Sequence, residues 1–206
     1  MATGCSFAVT AAVDLVGYDI FASFRKDTND NFGWQEPFNL GEGVNSELDD
    51  GDPNVYVEPE TGAVTMYFSR HHTGLGDNHI YTSTLGDDGT FGPAVLVPEL
   101  NSPQSDAHTS IRCDGLEIFL TSNRPGGFGG VDLWVSTRPT THDPWSTPVN
   151  LGPTVNTPDN ERAPYLSADG QTLYFTSDRP GGFGGNDFYM TTRHRLHHHG
   201  EDDDDG

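Results

Sequence analysis

The sequence predicts an all-β fold, a β-propeller built from four-stranded antiparallel blades, with about 3.5 to 4 blades per chain. The first observation is a stretch that is written twice. TSNRPGGFGGVDLWVSTR at 121–138 returns about 55 residues later as TSDRPGGFGGNDFYMTTR at 176–193. The second observation is that short runs rich in Val, Ile, Tyr, Phe and Thr lie between turn residues, while no segment has a helical period.

Each repeat contains strand-like apolar runs bounded by Gly, Pro, Asp and Asn. In chain order these runs are 54–57, 64–68, 79–83, 118–121, 133–136, 173–176 and 188–191. A second repeated stretch, WQEPFNLG at 34–41 and WSTPVNLG at 145–152, adds another strand to the unit. Four antiparallel strands in a unit of about 40 to 55 residues are typical of a propeller blade.

The repeats place residues 1–193 in one propeller domain. Its predicted parts are a partial blade at 1–41 and blades at about 42–100, 101–152 and 153–193. A chain that begins and ends within a blade leaves open strand edges, so we expect a homo-oligomer that completes the ring, with a four-bladed ring and a composite blade as the alternative. The His/Asp-rich segment 194–206 leaves the repeat pattern and is predicted to be a disordered tail.

Residues 1–16 do not fit the repeat, although 17–25 matches 185–193 without a gap. Read one base out of frame, codons for Gly-Gly-Phe-Gly can encode Val-Asp-Leu-Val, the sequence at 13–16. One hypothesis is therefore that the start is a shifted reading frame of an ordinary blade. Simple divergence is the alternative, and the gene sequence distinguishes the two.

The repeated segment from Ser167, SADGQTLYFTSDRPGGFGGNDFY, resembles the WD40-like repeat called PD40, which occurs in TolB-type propellers. The copies ending at Arg138 and Arg193 match well, and the copy at 53–85 matches less closely. In that copy RHHTGLGD at 70–77 replaces the Gly-rich loop, and we expect this loop to have a role of its own. The resemblance implies a periplasmic or exported parent protein, although no signal peptide is recognisable at the start of this chain.

Composition limits the partners. The formal net charge is -21 and Lys26 is the only lysine, which excludes a basic patch for nucleic acid or for an anionic membrane. No stretch is long and apolar enough to span a membrane, and two cysteines do not define a disulfide framework. The expected partners are a protein or glycan ligand, or a small-molecule ester substrate.

Three carboxylates recur at one position of the repeat. Asp50, Asp106 and Glu161 each follow an Asn by five residues and are expected to face one small volume at the propeller axis. A divalent cation would compensate such a ring: oxygen ligands suit Ca²⁺ or Mg²⁺, and His108 would favour Zn²⁺ or Mn²⁺. The alternative is a structural role, in which these carboxylates accept amide hydrogen bonds or pair with Arg112 and Arg162.

The other repeated polar groups indicate architecture. Asp132 and Asp187 are expected to bind loop amides, and Arg124 and Arg179 to reach between blades. The loop glycines are expected to provide tight turns with positive φ; they are Gly126, Gly127, Gly129 and Gly130.

Three functions are compatible with this pattern. The first is a non-catalytic module that binds a protein or glycan. The second is a metal-dependent hydrolase of esters, lactones or phosphotriesters, with Asp50, Asp106, His108 and Glu161 as ligands and His71, His72 or His108 as catalytic groups. The third is a glycosidase, which needs an acid and base pair of carboxylates at a suitable separation.

Overall fold

The computed structural model describes residues 7–14, 17–25, 27, 29–72 and 77–193. Within this part of the chain all the regular structure is β-strand, as predicted. The strands are β1 (Phe7–Asp14), β2 (Gly17–Phe24), β3 (Phe38–Asn39), β4 (Asp49–Val57), β5 (Val64–His72), β6 (Asp77–Thr84), β7 (Val95–Leu96), β8 (Asp106–Ile111), β9 (Glu117–Ser122), β10 (Asp132–Thr137), β11 (Val149–Asn150), β12 (Glu161–Leu166), β13 (Thr172–Ser177) and β14 (Asp187–Thr192). No helix in the described residues is long and apolar enough to cross a membrane.

The strands form four antiparallel sheets that follow one another along the chain. The first sheet is β1-β2-β3, the second β4-β5-β6-β7, the third β8-β9-β10-β11 and the fourth β12-β13-β14. The second and third sheets have an inner, a second, a third and a short outer strand. Because β2 aligns with β14, the first sheet consists of a second, third and outer strand, and the fourth of an inner, second and third strand.

The inner strands position the molecule's polar groups. β8 contacts both β4 and β12, so the three inner strands run side by side through successive sheets. The edge at which they begin, called here the upper edge, also carries the hairpins between second and third strands, because neighbouring strands are antiparallel. The described parts of the expected loop at 70–77, residues 70–72 and 77, therefore lie at the upper edge.

Apolar side chains fill the spaces between consecutive sheets. Each space holds one cluster of buried residues, which follows from alternate side chains projecting from both faces of every sheet. The clusters centre on Phe68 between the first and second sheets, on Leu120 between the second and third, and on Phe175 between the third and fourth. Burial of these faces is the main stabilising term of the stack.

The Gly-rich loops match the expectation in part. The Asp132 carboxylate accepts the amide of Phe128 at 2.9 Å, and Asp187 accepts the amide of Phe183 at 2.9 Å, as predicted. Of the four glycines expected to have positive φ in the first of these loops, only Gly126 does, at 97°. Gly129 is needed for space, because a Cβ there would lie 1.7 Å from the carbonyl oxygen of Asp159.

Within the described residues the sheets do not close into a ring. Among the described residues, no strand of the fourth sheet contacts a strand of the first. Of residues 1–16, those described form β1, which pairs with β2 from Phe7↔Phe24 to Asp14↔Gly17. The predicted tail at 194–206 lies outside the described residues.

Candidate functional site at the inner strands

The three recurring carboxylates begin the inner strands and are completely buried. Asp50 Oδ2 accepts the amide and the hydroxyl of Ser46, both at 2.8 Å, and Asp50 Oδ1 accepts Nε of Arg70 at 2.7 Å. The other two inner strands repeat the arrangement. Asp106 is bound by Ser102 and Arg124, and Glu161 by Thr157, Ser177 and Arg179.

These contacts give each carboxylate a structural partner. A buried carboxylate that accepts two or three hydrogen bonds and pairs with a guanidinium is already compensated. Within the described residues, no three His, Cys, Asp or Glu side chains lie close enough together to hold a metal ion. The set expected to bind a cation, Asp50, Asp106, His108 and Glu161, is therefore not assembled as a ligand group in this part of the chain.

The arginines that compensate the carboxylates are not those expected. Arg112 was expected to pair with the recurring carboxylates, but it binds Asp114 at 2.8 Å and Glu117 at 3.2 Å. Arg162, the other expected partner, makes no ion pair among the described residues. Sequence alignment gives the three carboxylates one repeat position, which lies at the start of the inner strands, but does not show which guanidinium reaches them.

Two residues beyond each carboxylate the inner strand carries a bulge. Asp52, His108 and Ala163 occupy this position, with φ of 51°, 49° and 50°, and the pairing register shifts beside each of them. A non-glycine residue in this left-handed region costs on the order of 1–3 kcal/mol. The preceding sheet supports the bulge: the amide of His108 donates to Ser69 Oγ at 3.1 Å, and that of Ala163 to Thr121 Oγ1 at 3.2 Å.

The bulge positions have the same backbone but different side chains. His108 Nε2 lies 3.4 Å from Asp52 Oδ2, and both side chains are about two-fifths exposed, at 35% and 43%. His108 Nδ1 is buried and has no hydrogen-bond partner among the described residues. The backbone strain is thus repeated, while the group it presents changes from carboxylate to imidazole to methyl.

A cleft opens beside Asp52 at the upper edge. It has a volume of about 390 Å³ and is called here the inner-strand cleft. Its lining residues are Tyr18, Asp49, Gly51, Asp52, Ser69, His71 and Asn78. The first sheet contributes Tyr18, whose amide donates to Asp49 Oδ1 at 3.0 Å, and the second sheet contributes the rest.

His71 and Asn78 face each other across the β5–β6 hairpin. His71 Nδ1 lies 3.2 Å from Asn78 Oδ1, and the Asn78 amide group contacts Ser105 Oγ at 3.2 Å. Because an amide oxygen only accepts, His71 Nδ1 carries the hydrogen and Nε2 of the neutral ring is an acceptor. Asn78 is hydrogen-bonded to Ser105, which directly precedes β8 of the third sheet, so the position of this wall of the cleft is fixed.

His72 is held away from this cleft. Successive residues of a strand point to opposite faces, and His72 packs edge-on against His79 with Nε2 3.3 Å from the Tyr81 hydroxyl. Burial, followed by the nearby His79 and Arg70, lowers the pKa of His72 below its ordinary value. Of the three histidines expected to be catalytic, His71 lines the cleft, His108 adjoins it through Asp52, and His72 does neither.

The second sheet differs from the others because its arginine comes earlier. Arg70 pairs in register with Asp50, whereas the residue in register with Asp106 is Ser122, two residues before Arg124. Because Arg70 lies within β5, the strand can continue to His72 and place His71 over the cleft. The replaced Gly-rich loop at 70–77 was the sequence signal for this difference.

The comparisons with known proteins concern the fold. No protein-family model matches the chain. No curated protein matches it significantly. A thermostable family-43 glycoside hydrolase is similar in structure, with a TM-score of 0.61 and 12% identity over 90% of this chain and 67% of that one.

Two further solved structures are also similar to this chain in fold. The endo-arabinase from Bacteroides thetaiotaomicron has a TM-score of 0.59 and 16% identity over 91% of this chain and 70% of that one. TolB from Acinetobacter baumannii has a TM-score of 0.51 and 15% identity over 91% of this chain and 39% of that one. The fold is a β-propeller. The four sheets are its blades, and identities this low carry no information beyond the fold.

Sequence reasoning missed Asp52, Asn78 and Tyr18. A signal for Asp52 existed, because the alignment that equates Asp50 with Asp106 also equates Asp52 with His108 two residues later. Asn78 and Tyr18 had no such signal, since their place depends on how the hairpin and the first blade pack.

Proposed function

We propose that this propeller is a binding module for a neutral oligosaccharide, which it takes up in the inner-strand cleft. The observation that supports this most directly is the composition of the cleft wall. His71, Asn78 and Asp52 provide an acceptor nitrogen, an amide and a carboxylate within one partly open cavity. Pockets of this volume with a few convergent polar groups are the usual ligand sites of proteins.

The chemistry of the lining suits sugar hydroxyls. Each hydroxyl is at once a donor and an acceptor, so it pairs with carboxylate and imidazole acceptors and with amide donors. Tyr18 adds a half-exposed aromatic ring, a flat apolar surface with a polar tip. A sugar ring presents the matching combination of C–H face and hydroxyl edge.

The charge of the cleft disfavours an anionic ligand. Asp49 and Asp52 line it, and none of the described lysine and arginine residues does. The chain as a whole carries a net charge of -21, which disfavours anionic ligands further. Two of the structurally similar proteins are named as a glycoside hydrolase and an endo-arabinase, which makes neutral arabino-oligosaccharides reasonable first probes.

We also assign the repeats to the PD40 class as part of this proposal. Support comes from the twin Gly-rich loops and from the TolB-like fold, while the match in sequence is confined to the repeat itself. The partner of a PD40 module would then be a glycan at the upper edge.

Titration calorimetry with linear arabino-oligosaccharides tests the proposal. We expect saturable binding that His71→Ala or Asn78→Ala weakens by about tenfold or more, because each change leaves a ligand hydroxyl without its partner. His142→Ala is the matched control: His142 is exposed on the β10–β11 loop, at the edge opposite the cleft. Absence of binding to neutral oligosaccharides, or binding that these cleft variants do not change, would refute the proposal.

A second candidate, a glycosidase, is favoured by one observation. Two carboxylates, Asp49 and Asp52, line the same cleft, and His108 adjoins the second. Glycoside hydrolysis needs two such groups, one as acid and one as base or nucleophile. Turnover of an aryl arabinofuranoside that Asp52→Asn abolishes, with oligosaccharide binding retained, would establish it, and binding without turnover would reject it.

A further inference from the structure

The outward face of the fourth blade is apolar and uncovered. Tyr165, Tyr174 and Met190 lie side by side in register on β12, β13 and β14, and Phe188 continues the row on the same face of β14. Phe188 is 87% exposed and Met190 66%. Contiguous exposed apolar surface of this kind marks an interaction site.

The same face is buried one blade earlier. At the repeat distance of 55 residues, Phe188 corresponds to Leu133, which is 0% exposed, and Tyr174 corresponds to Phe119. Leu133 and Phe119 belong to the apolar cluster that joins the third blade to the fourth. The outward face of the fourth blade is therefore a surface that, elsewhere in this chain, receives another blade.

We infer that this face receives the first blade of a second copy of the chain, so that two copies form one ring. The first blade offers the matching surface. Its Phe21 stands in register with Asn39 on β3 and corresponds to Trp134 and Tyr189, the aromatic residues that third strands turn toward the preceding blade. Unlike Trp134, Phe21 is only partly buried.

Charge favours this pairing over contact between two fourth blades. Arg162 lies in register with Thr176 and Phe188 on the apolar face and makes no ion pair among the described residues. On the first blade, Asp19 lies two residues before Phe21 on β2, so this partly exposed carboxylate is on the same face and, like Arg162, near the upper edge. The Arg162 cation, which Asp178 of the same blade offsets only through a longer-range interaction, attracts an acidic surface and repels its own copy.

Size is consistent with a stable interface. Large aromatic side chains bury about 150–250 Å² each, so the row on the fourth blade supplies several hundred Å² to one contact. A ring of two chains has two such contacts, which together exceed the roughly 1,000 Å² that specific interfaces need. Two four-sheet chains give eight sheets, within the range of about four to eight blades seen in propellers.

Size-exclusion chromatography with light scattering tests the inference on the full chain. We expect twice the 22.4 kDa of one chain, and a single-chain mass for Phe188→Asp. Val149→Asp is the matched control, since Val149 is 64% exposed on an outer strand and should leave the mass doubled. Circular dichroism verifies folding, and Arg162→Glu serves as a milder variant that should raise the dissociation constant at least about tenfold at low salt.

Hydrogen exchange above and below the dissociation concentration locates the contact. Protection of both the fourth blade and β1–β2 supports the ring. Protection of the fourth blade alone would mean that two fourth blades pair, which overturns it. A single-chain mass at concentrations up to roughly 100 μM would also overturn it, because some other partner must then cover the face.

Discussion

Asp52 and His108 meet across the boundary between the second and third blades, with Oδ2 and Nε2 3.4 Å apart. Both occupy the left-handed bulge of their inner strands, where Ala163 stands in the fourth blade. The fold therefore presents a side chain at the same place in three blades and leaves its chemistry free to vary. Strained backbone persists only where its surroundings hold it, and such positions cluster at ligand and active sites. The arrangement therefore suits a ligand site shared between blades.

The bulge yields the first prediction. Glycine adopts φ near 50° without the steric cost that alanine pays, so Ala163→Gly should be neutral or stabilising by up to about 1 kcal/mol despite the looser unfolded chain. Ala107→Gly, on the neighbouring inner strand and without positive φ, should instead destabilise by about 1 kcal/mol. Urea unfolding measures both changes, and equal destabilisation by the two would contradict a strained bulge.

The second prediction concerns Arg124 of the third blade, whose side chain is only 10% exposed. Arg124 Nη2 donates to the Leu100 carbonyl at 2.6 Å and binds the fully buried Asp106, with its guanidinium 5.4 Å from the Trp134 ring centre. Arg124→Met should cost about 3–5 kcal/mol, because it leaves an uncompensated buried carboxylate. Unfolding of the double variant with Asp106→Asn should cost less than the sum of the two single changes.

Arg112→Met is the control for that prediction. Arg112 is 31% exposed and pairs with the half-exposed Asp114 and with the buried Glu117. Because Glu117 keeps Arg193 as a partner, the loss of Arg112 should cost about 1 kcal/mol or less. If Arg124→Met lowered the free energy of unfolding by as little, the ion pair between Arg124 and Asp106 would have no structural role.

These residues also show how far sequence reasoning reaches. The repeat predicts the sheets and places Asp50, Asp106 and Glu161 at one position, because strand order follows from repeated turn chemistry. It does not predict that Arg70 reaches Asp50 from the position of β5 in register with it. Arg124 instead reaches Asp106 from two residues beyond the corresponding position, Ser122. That difference arises in three dimensions, where a long guanidinium side chain reaches one point from two backbone positions.

The third prediction compares two glycines of the repeated loop. A Cβ on Gly129 would lie 1.7 Å from the Asp159 carbonyl oxygen, whereas a Cβ on its counterpart Gly184 would meet nothing within 4 Å. Gly129→Ala should therefore destabilise by about 3 kcal/mol, since backbone must move. Gly184→Ala should change the free energy of unfolding by no more than about 0.5 kcal/mol. Similar values for both would mean that the third and fourth blades do not approach as described.

The fourth prediction concerns pH. The folded protein lowers the pKa of His72 through burial and through His79 and Arg70, so the unfolded chain binds this proton more strongly. Stability then falls as the pH drops through the unfolded value near 6.5, and continues to fall until the folded pKa is passed. His72→Phe keeps a ring against Tyr81 without a titrating group, and should flatten the dependence of Tm on pH between about 7.5 and 5. Equal slopes for the two proteins would show that the folded state does not disfavour protonation of His72.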